Sequence, residues 1–309
     1  MDAYDKHVKL HEFYRRLGYQ QRGVLRFNTK LYGETGAIFF EKIIAQSTDR
    51  IQVVSMKLTE YPVALITGGS RGIGAATAIA LADLGYDVAI TYRNKAARAN
   101  EVIAEVMQRG VRALSVNCDI TRQEDIDRLF TTLQEWSNYL DLLVLNASGG
   151  LERDLIEADP QYPMHINRDA QITLLNGALN LMREGSTVVF VTSHWAHLHG
   201  QIEQLPSYAP IAESKHAGEQ ALRARQDVLA ERGIRLIVVT GDLIEGTITP
   251  KLLERAAPGL TAQRRTEIGQ LPTAADMGKA IARAATDTTL PNGSTVIVGG
   301  SLDSLPRQQ

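Results

Sequence analysis

Val63-Ala64-Leu65-Ile66-Thr67-Gly68-Gly69-Ser70-Arg71-Gly72-Ile73-Gly74 is the stretch on which the reading of this chain turns. Four apolar residues run into a glycine-rich loop, and an alanine-rich segment follows over residues 73–84. An apolar strand feeding a helix leaves the helix's first N–H groups unpaired and its positive dipole end at the loop. Glycines let the backbone approach a pyrophosphate placed there. Gly68, Gly72 and Gly74 give the spacing G-x-x-x-G-x-G, with Ser70, Arg71 and Ile73 between and beside them. A glycine motif alone is weak; the strand before it and the helix after it are the context that gives it weight.

Outward from the loop the pattern repeats. Apolar runs at residues 88–92, 113–117, 142–145, 187–192, 235–239 and 294–298 alternate with helical stretches at 95–108, 124–136, 170–182, 209–232 and 274–285. Strands that are apolar throughout belong to a parallel sheet covered on both faces. Right-handed crossovers then make a doubly wound α/β fold, a Rossmann fold with seven parallel strands. At its switch point such a sheet binds a dinucleotide.

Composition narrows the class. The chain has 309 residues, 44% apolar and 22% charged, with a net charge of −2, so no basic surplus points to nucleic acid. Its one cysteine, Cys118, excludes an intramolecular disulfide and a cysteine-rich zinc site. No apolar run approaches the roughly 18 residues of a membrane span, and the polar N-terminal stretch lacks a signal-peptide core. A cytoplasmic protein with no membrane partner is expected.

The second strand ends in Thr91-Tyr92-Arg93, where a cofactor with a free ribose 2′-hydroxyl usually meets an acidic residue. Arg93 and Arg71 instead suit a 2′-phosphate through forked, charge-assisted hydrogen bonds. NADP(H) is therefore expected ahead of NAD(H), which stays possible.

From about residue 56 to 305 the chain resembles the short-chain dehydrogenase/reductase family. Besides the loop, Cys118-Asp119-Ile120 is similar to the segment after the third strand that contacts adenine, and Asn146-Ala147-Ser148-Gly149 to the family's N-A-G, with an extra serine. Asn167 stands at the asparagine that helps hold a proton-relay water, and Ser193 at the catalytic serine. Lys215, in Ser214-Lys215-His216-Ala217-Gly218, stands at the catalytic lysine. Thr240-Gly241-Asp242-Leu243-Ile244 stands where the family has P-G-x-x, which implies Ile244 and Thr247 near the nicotinamide carboxamide, and residues 247–260 are expected to form a lid. The resemblance implies hydride transfer between nicotinamide and a small carbonyl or alcohol substrate, in a homo-oligomer. A tyrosine supplies the proton, its phenol lowered by the neighbouring lysine; serine holds the oxygen, and lysine also binds ribose.

The chain departs from the family at one point. The motif Y-x-x-x-K puts both side chains on one helix face. Four residues before Lys215 stands Ile211, which carries no proton; the nearest tyrosine is Tyr208, seven residues before. Seven residues return Tyr208 to within roughly 20° of the lysine face, with an axial offset of roughly 10 Å rather than 6 Å. Pro210 places Tyr208 at the helix mouth. Tyr208 is thus the expected proton donor, from one turn further out. The alternative is a dinucleotide-binding partner or regulatory protein with impaired catalysis.

His194, His197 and His199 follow Ser193 directly. Their spacing matches no metal site, and none is expected. His194 or His197 could instead line the cleft or replace the missing donor, since imidazole titrates near neutrality. Glu213 points to another helix face than Lys215.

Residues 1–55 are different material. They hold eight of the 18 aromatics and nine Lys/Arg against six Asp/Glu, a net +3. Residues 10–19 read as an amphipathic helix closed by Gly18, followed by strands at 23–28 and 36–42. This stretch resembles the C-terminal end of a GCN5-related N-acetyltransferase, without the upstream loop that acetyl-CoA requires. A non-catalytic helix-hairpin appendage over 1–55, ahead of a dinucleotide-binding domain over 56–309, is expected.

Overall fold

The structure, a computed structural model, describes residues 20–29, 33–41 and 61–308. The chain divides into two compact units, Met1–Leu58 and Thr59–Gln309. In the first, strand β1 (Gln20–Thr29) pairs antiparallel with β2 (Gly33–Glu41), with a register shift between Gln21 and Gly23. Both expected strands lie here; the expected helix over 10–19 and residue 42 lie outside the described residues.

The second unit is built on seven parallel strands. They are β3 (Val63–Ile66), β4 (Asp87–Tyr92), β5 (Ala113–Asn117), β6 (Leu140–Leu145), β7 (Met182–Ser193), β8 (Arg235–Gly241) and β9 (Thr295–Val298). Their order is β5-β4-β3-β6-β7-β8-β9. Connections run one way from β3 to β5 and the other way from β6 to β9, so the direction reverses between β3 and β6. That is the switch point of a doubly wound sheet, and it confirms the expected fold.

Helices cover both faces. The main ones are α1 (Gly72–Asp83), α2 (Ala96–Met107), α3 (Gln123–Trp136), α4 (Ala170–Ala178), α5 (Ala209–Arg223), α6 (Ile248–Ala256), α7 (Leu260–Ile268) and α8 (Ala274–Thr286). The alternation of strand side chains sorts β3 between two cores. Val63 and Leu65 join Leu129, Leu133 and Leu174 on one face. Ala64 and Ile66 join Leu81, Ile90 and Ile281 on the other. All four β3 residues are fully buried, which is why the strand reads as an unbroken apolar run.

Three local differences from the expected pattern position the site. Strand β7 starts at Met182, five residues early, because Met182 pairs with Leu140 ahead of a register shift in β6. The helix expected over 209–232 ends at Arg223 and resumes at Gln226–Glu231, since Arg225 leaves the helical region at φ −102°, ψ 0°. A π-helical turn, His165–Asp169, precedes α4 and carries Asn167. Among the described residues no helix is long and apolar enough to cross a membrane.

Helix α8 crosses α1 at Gly278, where a Cβ would stand 2.6 Å from the backbone carbon of Ala76. Backbone cannot yield as a side chain does. Gly278→Val is expected to destabilise the unit by about 1–3 kcal/mol through overpacking, read as a lower urea midpoint.

Candidate active site

Thr67 ends β3 and locks the switch point. Its hydroxyl donates to the Val144 carbonyl (3.3 Å) and accepts from the backbone N–H of Asn146 and Ala147 (3.0 Å each). The Asn146 amide donates back to the carbonyls of Thr67 (2.9 Å) and Gly68 (3.4 Å). The glycine loop then turns through positive φ at Gly68 (68°) and Gly72 (56°). At Gly74 a Cβ would lie 2.5 Å from the Gly68 carbonyl oxygen and 2.7 Å from the Asn146 amide nitrogen. Only glycine fits there. The first turn of α1 therefore opens directly on the cleft, with its N–H groups aimed at whatever binds.

That cleft has a volume of about 760 Å³. Its walls gather Gly68, Ser70, Arg71, Gly72, Ile73 and Gly74 from the loop, and Arg93, Asp119, Ile120, Asn146 and Ala147 from the adjoining strand ends. Ser193, Tyr208, Lys215, Ile244 and Thr247 line its other half. Of the residues assigned a catalytic or cofactor-binding place by the resemblance, Asn167 alone is not on the wall. It is 1% exposed, and its amide donates to the Gly149 carbonyl (2.9 Å) and the Ser214 hydroxyl (3.0 Å) and accepts from Gly149 N–H. In the free chain this amide positions the Gly149 turn.

At the reacting end the Ser193 and Tyr208 hydroxyls are 3.0 Å apart. Tyr208 is the residue at which α5 begins, with Pro210 in the first turn. Its ring is buried, and burial pushes the phenol above its ordinary value, with the Ser193 hydrogen bond pulling the other way. The lowered phenol expected from the family is therefore not found in the free chain. Lys215, seven residues further along the helix, makes no hydrogen bond or ion pair among the described residues, and burial pulls its ammonium down to about 8. Ile211 fills the turn between them, 3% exposed.

Arg93 has partners of its own on the cleft wall. Its guanidinium donates to the Tyr162 hydroxyl (2.8 Å) and lies 3.6 Å from the Glu152 carboxylate, which also accepts from Gly150 and Leu151 N–H. A phosphate pairing with Arg93 would use the guanidinium N–H groups that these partners leave open. Lys95 and Arg98, which the sequence reading passed over, share this end of the cleft with Arg71. They lie at the start of α2, directly after the strand that carries Arg93, and a search for basic residues there would have found them.

The histidine run is corrected as well. His194 is fully buried behind the wall, between the Thr240 hydroxyl and the Gly300 carbonyl (3.0 Å each). A carbonyl only accepts, so Nε2 carries the proton and Nδ1 accepts from Thr240. Burial lowers this imidazole to about 4, and it stays neutral. His197 pairs with the buried Glu219 (2.9 Å), which Arg223 also holds. Burial alone would raise that carboxyl; the bonds from His197 and Arg223 outweigh it and hold it below its usual range. Neither histidine reaches the cleft. Beside them, Asp242 receives a forked bond from Arg264 of α7 (2.7 Å and 3.0 Å), which the sequence did not reveal.

The family profile described as short chain dehydrogenase matches residues 62–256. The chain belongs to this family and is an oxidoreductase of its NAD(P)-dependent kind. It is 28% identical over 260 residues to the hydroxynaphthalene reductase-like protein Arp2 of Metarhizium majus, covering 78% of this chain and 94% of that one. It is 30% identical over 189 residues to the 1-cyclohexenylcarbonyl-CoA reductase of Streptomyces collinus, covering 59% and 65%. A short chain dehydrogenase from Burkholderia cenocepacia, solved in complex with NADP, superposes with a TM-score of 0.68 at 29% identity, covering 78% and 98%.

Replacing Arg264 by Met leaves Asp242 as a buried charge without its partner. A loss of about 3–5 kcal/mol is expected by denaturant titration, and much of it should return in the double variant Arg264→Met/Asp242→Leu.

Proposed function

We propose that the protein is an NADP(H)-dependent reductase of a small carbonyl compound, with Tyr208 as proton donor. The observation that carries this is the 3.0 Å contact between Tyr208 and Ser193 on the cleft wall. It supports a catalytic reading over that of a silent dinucleotide-binding partner. The glycine loop fits a pyrophosphate, since Gly74 leaves space that any Cβ would fill. Arg71, Lys95 and Arg98, with the N–H groups of Arg93 that Tyr162 leaves open, supply the charge a 2′-phosphate needs. The NADP complex of the Burkholderia relative is consistent with that preference. Asp119 and Ile120 would hold the adenine, Lys215 the ribose, and Ile244 and Thr247 the carboxamide, all five being on the cleft wall.

When bound, the nicotinamide supplies the hydride to the carbonyl carbon. The residues of the chain manage the oxygen. Ser193 donates a hydrogen bond to it and fixes its position. Tyr208 donates the proton as negative charge develops, and its raised phenol pKa keeps that proton in place until then. The Lys215 ammonium, once the ribose holds it, stabilises the phenolate left behind. The reading keeps the protein cytoplasmic and self-associating, with residues 1–55 outside the chemistry.

Two measurements test it. Tyr208→Phe should lose at least about 100-fold in NADPH oxidation with ketones and aldehydes while NADPH binding, followed by fluorescence, is kept. Full activity in that variant, or turnover of an enoyl-CoA thioester with no turnover of any ketone or aldehyde, would overturn it. Lys215 loses its charge in the free chain as pH rises through about 8, against an ordinary 10.5. NADPH affinity should therefore fall above that pH, and the fall should vanish in Lys215→Met.

A further inference from the structure

Two opposite charges meet on the cleft wall where β4 ends. The Arg93 guanidinium and the Glu152 carboxylate lie 3.6 Å apart, with side chains 34% and 35% exposed, so solvent screens the pair only in part. Both line the cleft. Arg93 follows the strand at whose end a cofactor's ribose 2′-position is read. Glu152 reaches it from the turn beyond β6.

The carboxylate is fixed in place. Its Oε2 accepts from the N–H of Gly150 (2.8 Å) and Leu151 (3.1 Å), and its Oε1 faces Arg93. Gly150 in turn packs on Ile211, whose Cγ1 stands 3.0 Å from where a Cβ on that glycine would be. Arg93 is fixed as well, by its 2.8 Å bond to the Tyr162 hydroxyl. Asp119, the other carboxylate on this wall that acts on the guanidinium, is turned onto the N–H (3.1 Å) and hydroxyl (2.7 Å) of Thr121. Arg71, Lys95 and Arg98 line the same end and have no acidic partner among the described residues. Of these four cations, Arg93 is the one that shares its charge with an acid.

An anion on the open N–H groups of Arg93 shares that guanidinium with Glu152. It lies within about a Debye length of the carboxylate at physiological salt. Like charges at that separation repel. A 2′-phosphate feels this cost and a 2′-hydroxyl does not.

We infer that Glu152 sets how strongly the cleft discriminates between NADPH and NADH: its charge weakens the hold on the 2′-phosphate and keeps the unphosphorylated cofactor competitive. This rests on the NADP(H) reading of the site given above. Glu152 thus determines cofactor specificity from the turn that carries the opposite wall of the cleft.

The test titrates the full chain with NADPH and with NADH, followed by cofactor fluorescence, at low and at high salt. Glu152→Gln removes the charge and keeps an oxygen for the N–H groups of Gly150 and Leu151. At low salt it should bind NADPH at least about fivefold more tightly than the wild type, while NADH affinity changes less than about twofold. At about 1 M salt, where the Debye length is about 3 Å, the gain should fall below about twofold. A gain that came from altered shape would survive the salt. Glu152→Ser, smaller and equally uncharged, should show the same low-salt gain. A salt-sensitive gain confined to NADPH in either variant upholds the inference. No gain in either, an equal gain for both cofactors, a gain that persists at high salt, or loss of both affinities in both variants overturns it. A wild type that binds NADH more tightly than NADPH overturns the preference proposed above, while a gain for NADPH on removing the charge still upholds the role of Glu152.

Discussion

One hydroxyl, that of Thr67, ties together the two halves of the sheet. It sits where the strand order reverses, donating to β6 and accepting from the two backbone N–H groups that follow that strand. A doubly wound sheet must splay at its switch point, because the connections on either side leave in opposite directions. Thr67 and the Asn146 amide hold that splayed region in one geometry. The glycine loop, the approach of Gly74 to the Gly68 carbonyl and the opening of α1 onto the cleft all inherit their positions from it. A methyl group in place of that hydroxyl would leave two buried N–H donors unpaired.

The cleft departs from the family pattern in two places, and each departure is matched by a second residue. Where the motif tyrosine is absent, Ile211 closes the wall and Tyr208 reaches Ser193 from the mouth of the same helix. Where the family has proline after the sixth parallel strand, Thr240 stands instead, and its hydroxyl is what His194 requires. Proline offers no such donor. His194 in turn bonds Gly300, so the substitution binds the ends of two strands to the turn that follows β9. The pairings make both departures parts of one consistent wall.

How far the sequence was legible follows from range. Strands such as Val63–Ile66 and the loop to Gly74 could be read because burial on both faces and tight turns are written in adjacent residues. The entry of α5 was marked by Pro210, and with it the place of Tyr208. Side-chain direction was not legible. Arg93 meets Tyr162 across 69 residues of chain, and Arg264 meets Asp242 across 22. No local pattern reports such pairs. The histidines were misjudged for the same reason: proximity to Ser193 in sequence says nothing of which way a ring turns once a short helix begins at its neighbour.

The burial of His194 makes the fold less stable in acid. Its imidazole takes a proton near pH 4 when folded, against an ordinary value of 6.5. Between those values the unfolded chain binds the proton and the native one does not, so stability is full above the upper value and drains away as pH falls toward the lower one, after which it levels off. A shift of this size corresponds to about 3 kcal/mol, a large fraction of what holds a domain together. The same neutral ring that anchors the wall of the cleft thus makes the stability of the fold fall as pH drops through the imidazole range.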